Sequence, residues 1–122
     1  MRLLYVEDNR INALLFEEML MRHPHVELRI AETGAEAIDL AQRWQPQVLV
    51  LDAHLPDTSG HDLLPRLRAL PGLMHAPAFM CSADSQPEDL QRARDGGFDG
   101  YWTKPIDVSR VIGDLESLPL ST

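Results

Sequence analysis

The chain has 122 residues, 11 of them basic and 19 acidic, for a formal charge of −8. That length is one domain, 1–122, with room for an ordinary core and no need of staples. Its 44% hydrophobic and 25% charged composition excludes a disordered chain, and the acidic balance argues against nucleic acid, whose phosphates need clustered Lys and Arg. The lone Cys81 excludes an internal disulfide and a Cys-based zinc cage, and its place in Ala78-Phe79-Met80-Cys81 reads as a buried small hydrophobe. No run approaches the ~20 apolar residues of a membrane span. The first apolar run stops at Glu7-Asp8, too early for a signal peptide, so the expected compartment is the cytoplasm.

Short apolar runs alternate with segments of helical period. Leu3-Leu4-Tyr5-Val6 is the first strand-like run. After Asn9, the positions Ile11, Leu14, Leu15 and Met19 repeat at 3.6 residues up to His23-Pro24. Val26 to Ala31 alternates as a half-buried or edge strand does. Thr33-Gly34-Ala35-Glu36 is a capping box that opens a helix through Ala37, Ile38, Ala41 and Trp44, stopped by Pro46. Val48-Leu49-Val50-Leu51 is continuous, as a central strand of a parallel sheet is. A third helix runs from about Gly60 to Leu70, ended by Pro71-Gly72. Pro65 falls about a turn into it, where proline costs roughly 3 kcal/mol, so a late start or a kink is expected. Ala78 to Cys81 is the fourth run. Ser85-Gln86-Pro87-Glu88 reads as a second capping box, before a helix through Leu90 and Ala93 to Gly96-Gly97. Gly100-Tyr101-Trp102 is a weak fifth run, and Asp107 caps a last helix with Val108, Val111, Ile112 and Leu115 inward.

Five strands alternating with five helices give an α/β fold of the (βα)₅ kind, with right-handed crossovers. In such an open sheet the site lies outside the carboxyl ends of the strands. Those ends carry Glu7-Asp8-Asn9, Asp52, Ser82-Ala83-Asp84 and Lys104-Pro105. The predicted sheet sets strands 1 and 3 side by side, so Glu7, Asp8 and Asp52 converge. At an effective dielectric near 20, each carboxylate pair ~5 Å apart costs on the order of 3 kcal/mol. Raised pKa values, a divalent cation held by oxygen ligands (Mg²⁺, or Mn²⁺, rather than zinc) or Lys104 reaching Asp52 would each offset this.

Together these residues resemble the receiver domain of two-component response regulators. The likeness is carried by Glu7-Asp8, by Asp52 within Asp52-Ala53-His54-Leu55-Pro56-Asp57-Thr58-Ser59-Gly60, by Ser82-Ala83, by Tyr101 and by Lys104-Pro105, and it runs from Arg2 to about Leu118. It implies a flavodoxin-like five-stranded parallel sheet in the order 2-1-3-4-5, with helices on both faces. It implies Asp52 as the phosphoacceptor that attacks a phosphohistidine. Glu7, Asp8, Asp52 and the backbone carbonyl of His54 are implied as metal ligands, Ser82 and Tyr101 as switch residues, and Lys104 as the cation that pairs with a phosphoryl oxygen. A cis Lys104-Pro105 bond is implied as well. The partner would be a histidine kinase or a histidine phosphotransfer domain. The activity would be self-catalysed transfer and self-hydrolysis, with no separate substrate turned over, so the chain is not expected to be an enzyme in the ordinary sense.

Glu7-Asp8-Asn9-Arg10-Ile11-Asn12 and Gly97-Phe98-Asp99-Gly100-Tyr101-Trp102-Thr103-Lys104-Pro105 resemble receivers of hybrid sensor kinases. With the chain ending soon after the fifth helix, the expectation is a receiver without an output domain, either stand-alone or cut from a longer kinase. Exposed residues of the first helix near Arg10 and Ile11 are the expected partner contacts. Ser82 stands where threonine is commoner, and Trp102 where a smaller apolar residue is usual. His54 and Asp84 occupy positions that in the family influence the lifetime of the phosphorylated state.

Other readings stand beside this one. Glu7 and Asp8 could be a cap and a surface acid, Ser82 a strand end, and Tyr101 a core aromatic. An aspartate-nucleophile phosphatase would place a second Asp where His54 stands. A flavin carrier would need a phosphate-binding loop where Glu7-Asp8-Asn9 would repel one. A receiver-shaped interaction module without phosphorylation is the remaining alternative. His54 and His61 read as surface residues, Asp57 and Asp62 as loop and helix-terminal acids, and Met19, Met21, Met74 and Met80 as packing residues.

Overall fold

The structure is a computed structural model, and it describes residues 1–119; the end of the expected domain, 120–122, lies outside the described residues. Its elements run β1 (Arg2–Val6), α1 (Arg10–Leu20), β2 (Glu27–Ala31), α2 (Gly34–Trp44), β3 (Val48–Asp52), α3 (Gly60–Arg68), β4 (Ala78–Ser82), α4 (Pro87–Asp95), β5 (Gly100–Thr103) and α5 (Val108–Glu116). The five strands form one parallel sheet in the order β2-β1-β3-β4-β5. The three middle strands are buried on both faces, which is why their sequences are continuously apolar. Strand β2 lies at an edge and keeps its alternating pattern.

Alternation along each strand divides the core in two. Leu4, Val6, Leu49, Leu51 and Met80 face one side with α2 and α3, while Leu3, Tyr5, Val50, Phe79 and Trp102 face the other with α1 and α5. Phe16 of α1 packs against Tyr5, with ring centroids 4.3 Å apart, and Trp102 stacks on Phe79 at 4.5 Å and 12°. Gly100 makes that stack possible, because a Cβ there would meet the Phe79 ring at 2.7 Å.

Register brings the strand ends to one edge. Val6 pairs with Leu51, Asp52 with Cys81, and Ser82 with Thr103. Glu7, Asp52, Ser82 and Lys104 therefore leave the sheet on the same side. The Lys104 N–H continues the ladder to the Ser82 carbonyl at 2.8 Å, and the Lys104-Pro105 bond is cis.

Several helix details differ from the sequence reading. In α1 the buried residues are Phe16 and Leu20, while Ile11, Leu14 and Leu15 are 57–69% exposed: the apolar repeat marks the outer face. Val108 and Leu90 are exposed, as are Met21 and Met74, whereas Val111, Leu115 and Ala93 are buried. Helix α3 starts at Gly60 under a Ser59 cap and continues past Pro65, which lies on its exposed face. Helix α4 is capped one residue later than the sequence reading placed it. Pro87 takes the first helical position, where its missing N–H costs nothing, so Gln86 becomes the cap and its N–H donates to Asp89 at 3.1 Å. At α2, Thr33 accepts from Glu36 N–H at 3.0 Å, but Glu36 reaches past Thr33 to the N–H of Glu32 at 3.4 Å.

Candidate functional site

The buried polar side chains among the described residues are three: Glu7, Asp52 and Ser82. All three lie at this strand edge. Burying a carboxylate is costly unless it is paired, and here each acid has partners. Lys104 Nζ is 2.6 Å from Glu7 Oε1 and 3.3 Å from Asp52 Oδ2. The Tyr5 hydroxyl donates to Glu7 Oε1 at 3.1 Å, and the His54 N–H donates to Asp52 Oδ1 at 3.4 Å. Asp8 is exposed at the rim, and its carboxylate completes a set with Glu7 and Asp52 whose ligand oxygens all lie within 4.8 Å of one another.

The electrostatics follow from this crowding. Burial, then the neighbouring Glu7, raises the Asp52 carboxyl from 3.8 to about 6. Burial pulls Glu7 upward too, but hydrogen bonds from Asp52 and Lys104 outweigh it and its pKa is lowered. Asp52 is thus the more basic of the two acids. Burial works against the Lys104 ammonium, yet Glu7 and Asp52 more than compensate and raise its pKa. Of the three offsets foreseen from sequence, two therefore operate together: a raised carboxyl and a bridging lysine. Lys104 reaches Asp52 as expected, and lies nearer still to Glu7.

Ser82 is buried at the end of β4, but its hydroxyl is turned to Asp84: Oγ is 3.3 Å from Asp84 Oδ2 and accepts the Asp84 N–H at 3.1 Å. Tyr101 is buried, and its hydroxyl donates to the Asp84 carbonyl at 2.7 Å. Burial raises its pKa. Cys81 is buried with its thiol pushed up to about 12, chiefly by burial, so it is not a nucleophile.

The sequence profile of the response regulator receiver domain matches residues 3–116. The chain belongs to the response regulator receiver domain family. The polar-differentiation response regulator DivK of Brucella ovis is 34% identical over 112 residues, covering 92% of this receiver and 90% of DivK. Among solved structures, the receiver domain of sensor histidine kinase PA1611 from Pseudomonas aeruginosa PAO1 superposes with a TM-score of 0.83 at 24% identity, covering 94% of this chain and 93% of that one. A two-component response regulator from Clostridium difficile gives 0.86 at 17% identity, covering 96% and 93%. Those two likenesses speak for the fold.

The family implies a divalent cation, and the residues of this receiver fit one. Opposite ligands of a Mg²⁺ ion are about 4.2 Å apart, since each Mg–O bond is ~2.1 Å. Glu7, Asp8 and Asp52 offer hard oxygen ligands inside a 4.8 Å envelope.

Three features of the receiver lay outside the site read from sequence. The His54 side chain reaches Asp84, with Nε2 3.1 Å from Oδ2. His54 and Asp84 each stand two residues beyond a strand-end site residue, in the loops that follow the neighbouring strands β3 and β4. Asp57, read as a loop acid, receives the N–H groups of Gly34 and Ala35 at 2.8 and 3.0 Å, pinning the loop after β3 to the N-terminus of α2. The Trp102 indole donates to Asp114 at 2.8 Å, which satisfies a bulky ring in a buried strand position.

Proposed function

We propose that this receiver accepts a phosphoryl group on Asp52 from a phosphohistidine of a histidine kinase or histidine phosphotransfer domain. The observation that carries the reading is the buried Asp52 carboxylate held 3.3 Å from Lys104 in a pocket shared with Glu7 and Asp8. An Asp52 oxygen attacks phosphorus, an acyl phosphate bond forms, and the P–N bond breaks with its electron pair leaving on the imidazole. Lys104 neutralises charge on the phosphoryl oxygens. Glu7, Asp8, Asp52 and the His54 backbone carbonyl would hold Mg²⁺, or Mn²⁺. Magnesium, when bound, would supply charge neutralisation at those oxygens. In the PA1611 receiver a magnesium ion is coordinated in the active site cleft, which supports the same assignment here.

The phosphoryl group adds nearly two charges and three acceptor oxygens. Ser82 and Tyr101 are the groups placed to read it. The domain turns over no separate substrate, and it works in the cytoplasm within a phosphorelay of the hybrid-kinase kind. No helix among the described residues is long and apolar enough to cross a membrane. Incubation with Mg²⁺ and a small acyl phosphate, followed by mass spectrometry, tests the reading. A phosphoryl adduct is expected on the peptide containing Asp52, absent without the metal and absent in Asp52→Asn. An adduct that persists in Asp52→Asn, or none on the wild-type chain, defeats it.

A further inference from the structure

The Ser82 hydroxyl has one proton, so it serves one strong acceptor at a time. In this structure that acceptor is Asp84 Oδ2, at 3.3 Å, and no hydrogen bond among the described residues joins Ser82 to Asp52. The same Oδ2 also meets His54 Nε2 at 3.1 Å. His54 comes from the loop after β3 and Asp84 from the loop after β4, so the contact spans the gap between the loops that follow Asp52 and Ser82. Tyr101, donating to the Asp84 carbonyl at 2.7 Å, fixes the backbone from which the carboxylate projects. The His54 and Asp84 side chains are 81% and 52% exposed, so the clasp is loose enough to open.

We propose that Asp84 is a positioning residue that sequesters the Ser82 hydroxyl at rest, with His54 as its clasp. Phosphoryl acceptance must then draw Ser82 away from the Asp84 carboxylate before its proton can reach the new oxygens. The proposal rests on the reading of Asp52 as phosphoacceptor, but it concerns a different bond. It sets a threshold on switching through Ser82, and Tyr101 is already seated on the Asp84 backbone independently of the carboxylate.

Two measurements on the full chain test it. The first needs no ligand: the Ser82 χ1 angle, read from three-bond couplings, is a single staggered rotamer in the wild type and averages in Asp84→Ala. An unchanged χ1 in Asp84→Ala would assign the holding to the residue-84 N–H, which donates to Ser82 Oγ at 3.1 Å and survives the substitution, and would overturn the carboxylate latch. The second titrates beryllofluoride with Mg²⁺ as the phosphoryl mimic. Asp84→Ala binds about fivefold tighter than wild type, and the gain vanishes in a Ser82→Ala background, because the latch acts through that hydroxyl. Asp84→Asn, which keeps an acceptor oxygen and loses the charge, stays within about twofold of wild type. Equal tightening with and without the Ser82 hydroxyl, or Asn behaving as Ala does, would show simple charge repulsion and overturn the proposal. If the wild type binds no beryllofluoride while χ1 averages in Asp84→Ala, the latch stands and the phosphoacceptor reading falls.

Discussion

Asp52 is held in a state that costs stability. Its carboxyl is raised to about 6, from 3.8, by burial and by Glu7. Between those values the folded chain binds more protons at this position than the unfolded chain does, so this contribution to stability falls as pH rises through the window. Above about pH 6 the full cost is present. Glu7 has the opposite sign: its lowered pKa adds stability above its ordinary value of 4.5 and loses it as pH falls. Asp52→Asn removes the costly charge and leaves Glu7 with Lys104. It is expected to be more stable than the wild type by about 1–3 kcal/mol at pH 8 without divalent cation. The advantage shrinks through pH 6 and is gone near pH 4. Adding Mg²⁺ narrows the gap at pH 8 by stabilising only the chain that retains its third carboxylate. Urea unfolding at three pH values, with and without Mg²⁺, measures this. No gain at pH 8 would mean that Lys104 already neutralises the pair.

At the scale of the element, α3 carries the clearest cost. Pro65 removes an N–H that would bond the His61 carbonyl, in a helix of nine residues that nevertheless runs from Gly60 to Arg68. The buried Leu63, Leu64 and Leu67 hold it, each side chain contributing roughly 1.5–3 kcal/mol. Pro65→Ala restores the bond, worth up to about 3 kcal/mol, but returns freedom to the unfolded chain worth ~1 kcal/mol. The expected net gain of about 2 kcal/mol is read as a rise in thermal midpoint, and an unchanged or lower midpoint would show that the helix has adapted around the proline. Apolar runs and strand-end polar residues are local signals, so the five strands and the placing of Glu7, Asp52 and Lys104 at their ends could be read from them, whereas the sheet order came with the family resemblance. Which side of a helix faces the core depends on its docking angle. Ile11, Leu14 and Leu15 have the period of a buried stripe and lie outside, while Phe16 and Leu20 carry the packing. The His54–Asp84 contact escaped because it joins two loops whose conformations no periodicity encodes.

Over the whole molecule, that outward stripe is concentrated rather than scattered. Of the seven large hydrophobics exposed among the described residues, Ile11, Leu14, Leu15 and Met21 lie on or just after α1, and Val108 lies beside them at the start of α5. Between α1 and the turn after β5 runs a cavity of about 230 Å³, lined by Leu15, Phe16, Met19, Ile106 and Val108 and reaching Lys104 at its polar end. An apolar surface that leads directly to Lys104 suits the phosphohistidine-bearing partner proposed above. Leu15→Arg places a charge in that surface without touching the core, where substitutions usually change stability by no more than about 0.5 kcal/mol. The variant is expected to slow phosphoryl transfer from a phosphohistidine domain at least tenfold. It leaves labelling by a small acyl phosphate, and the unfolding midpoint, at wild-type values. Loss of both transfers together would place Leu15 within the chemical site, and retention of both would move the docking surface off α1.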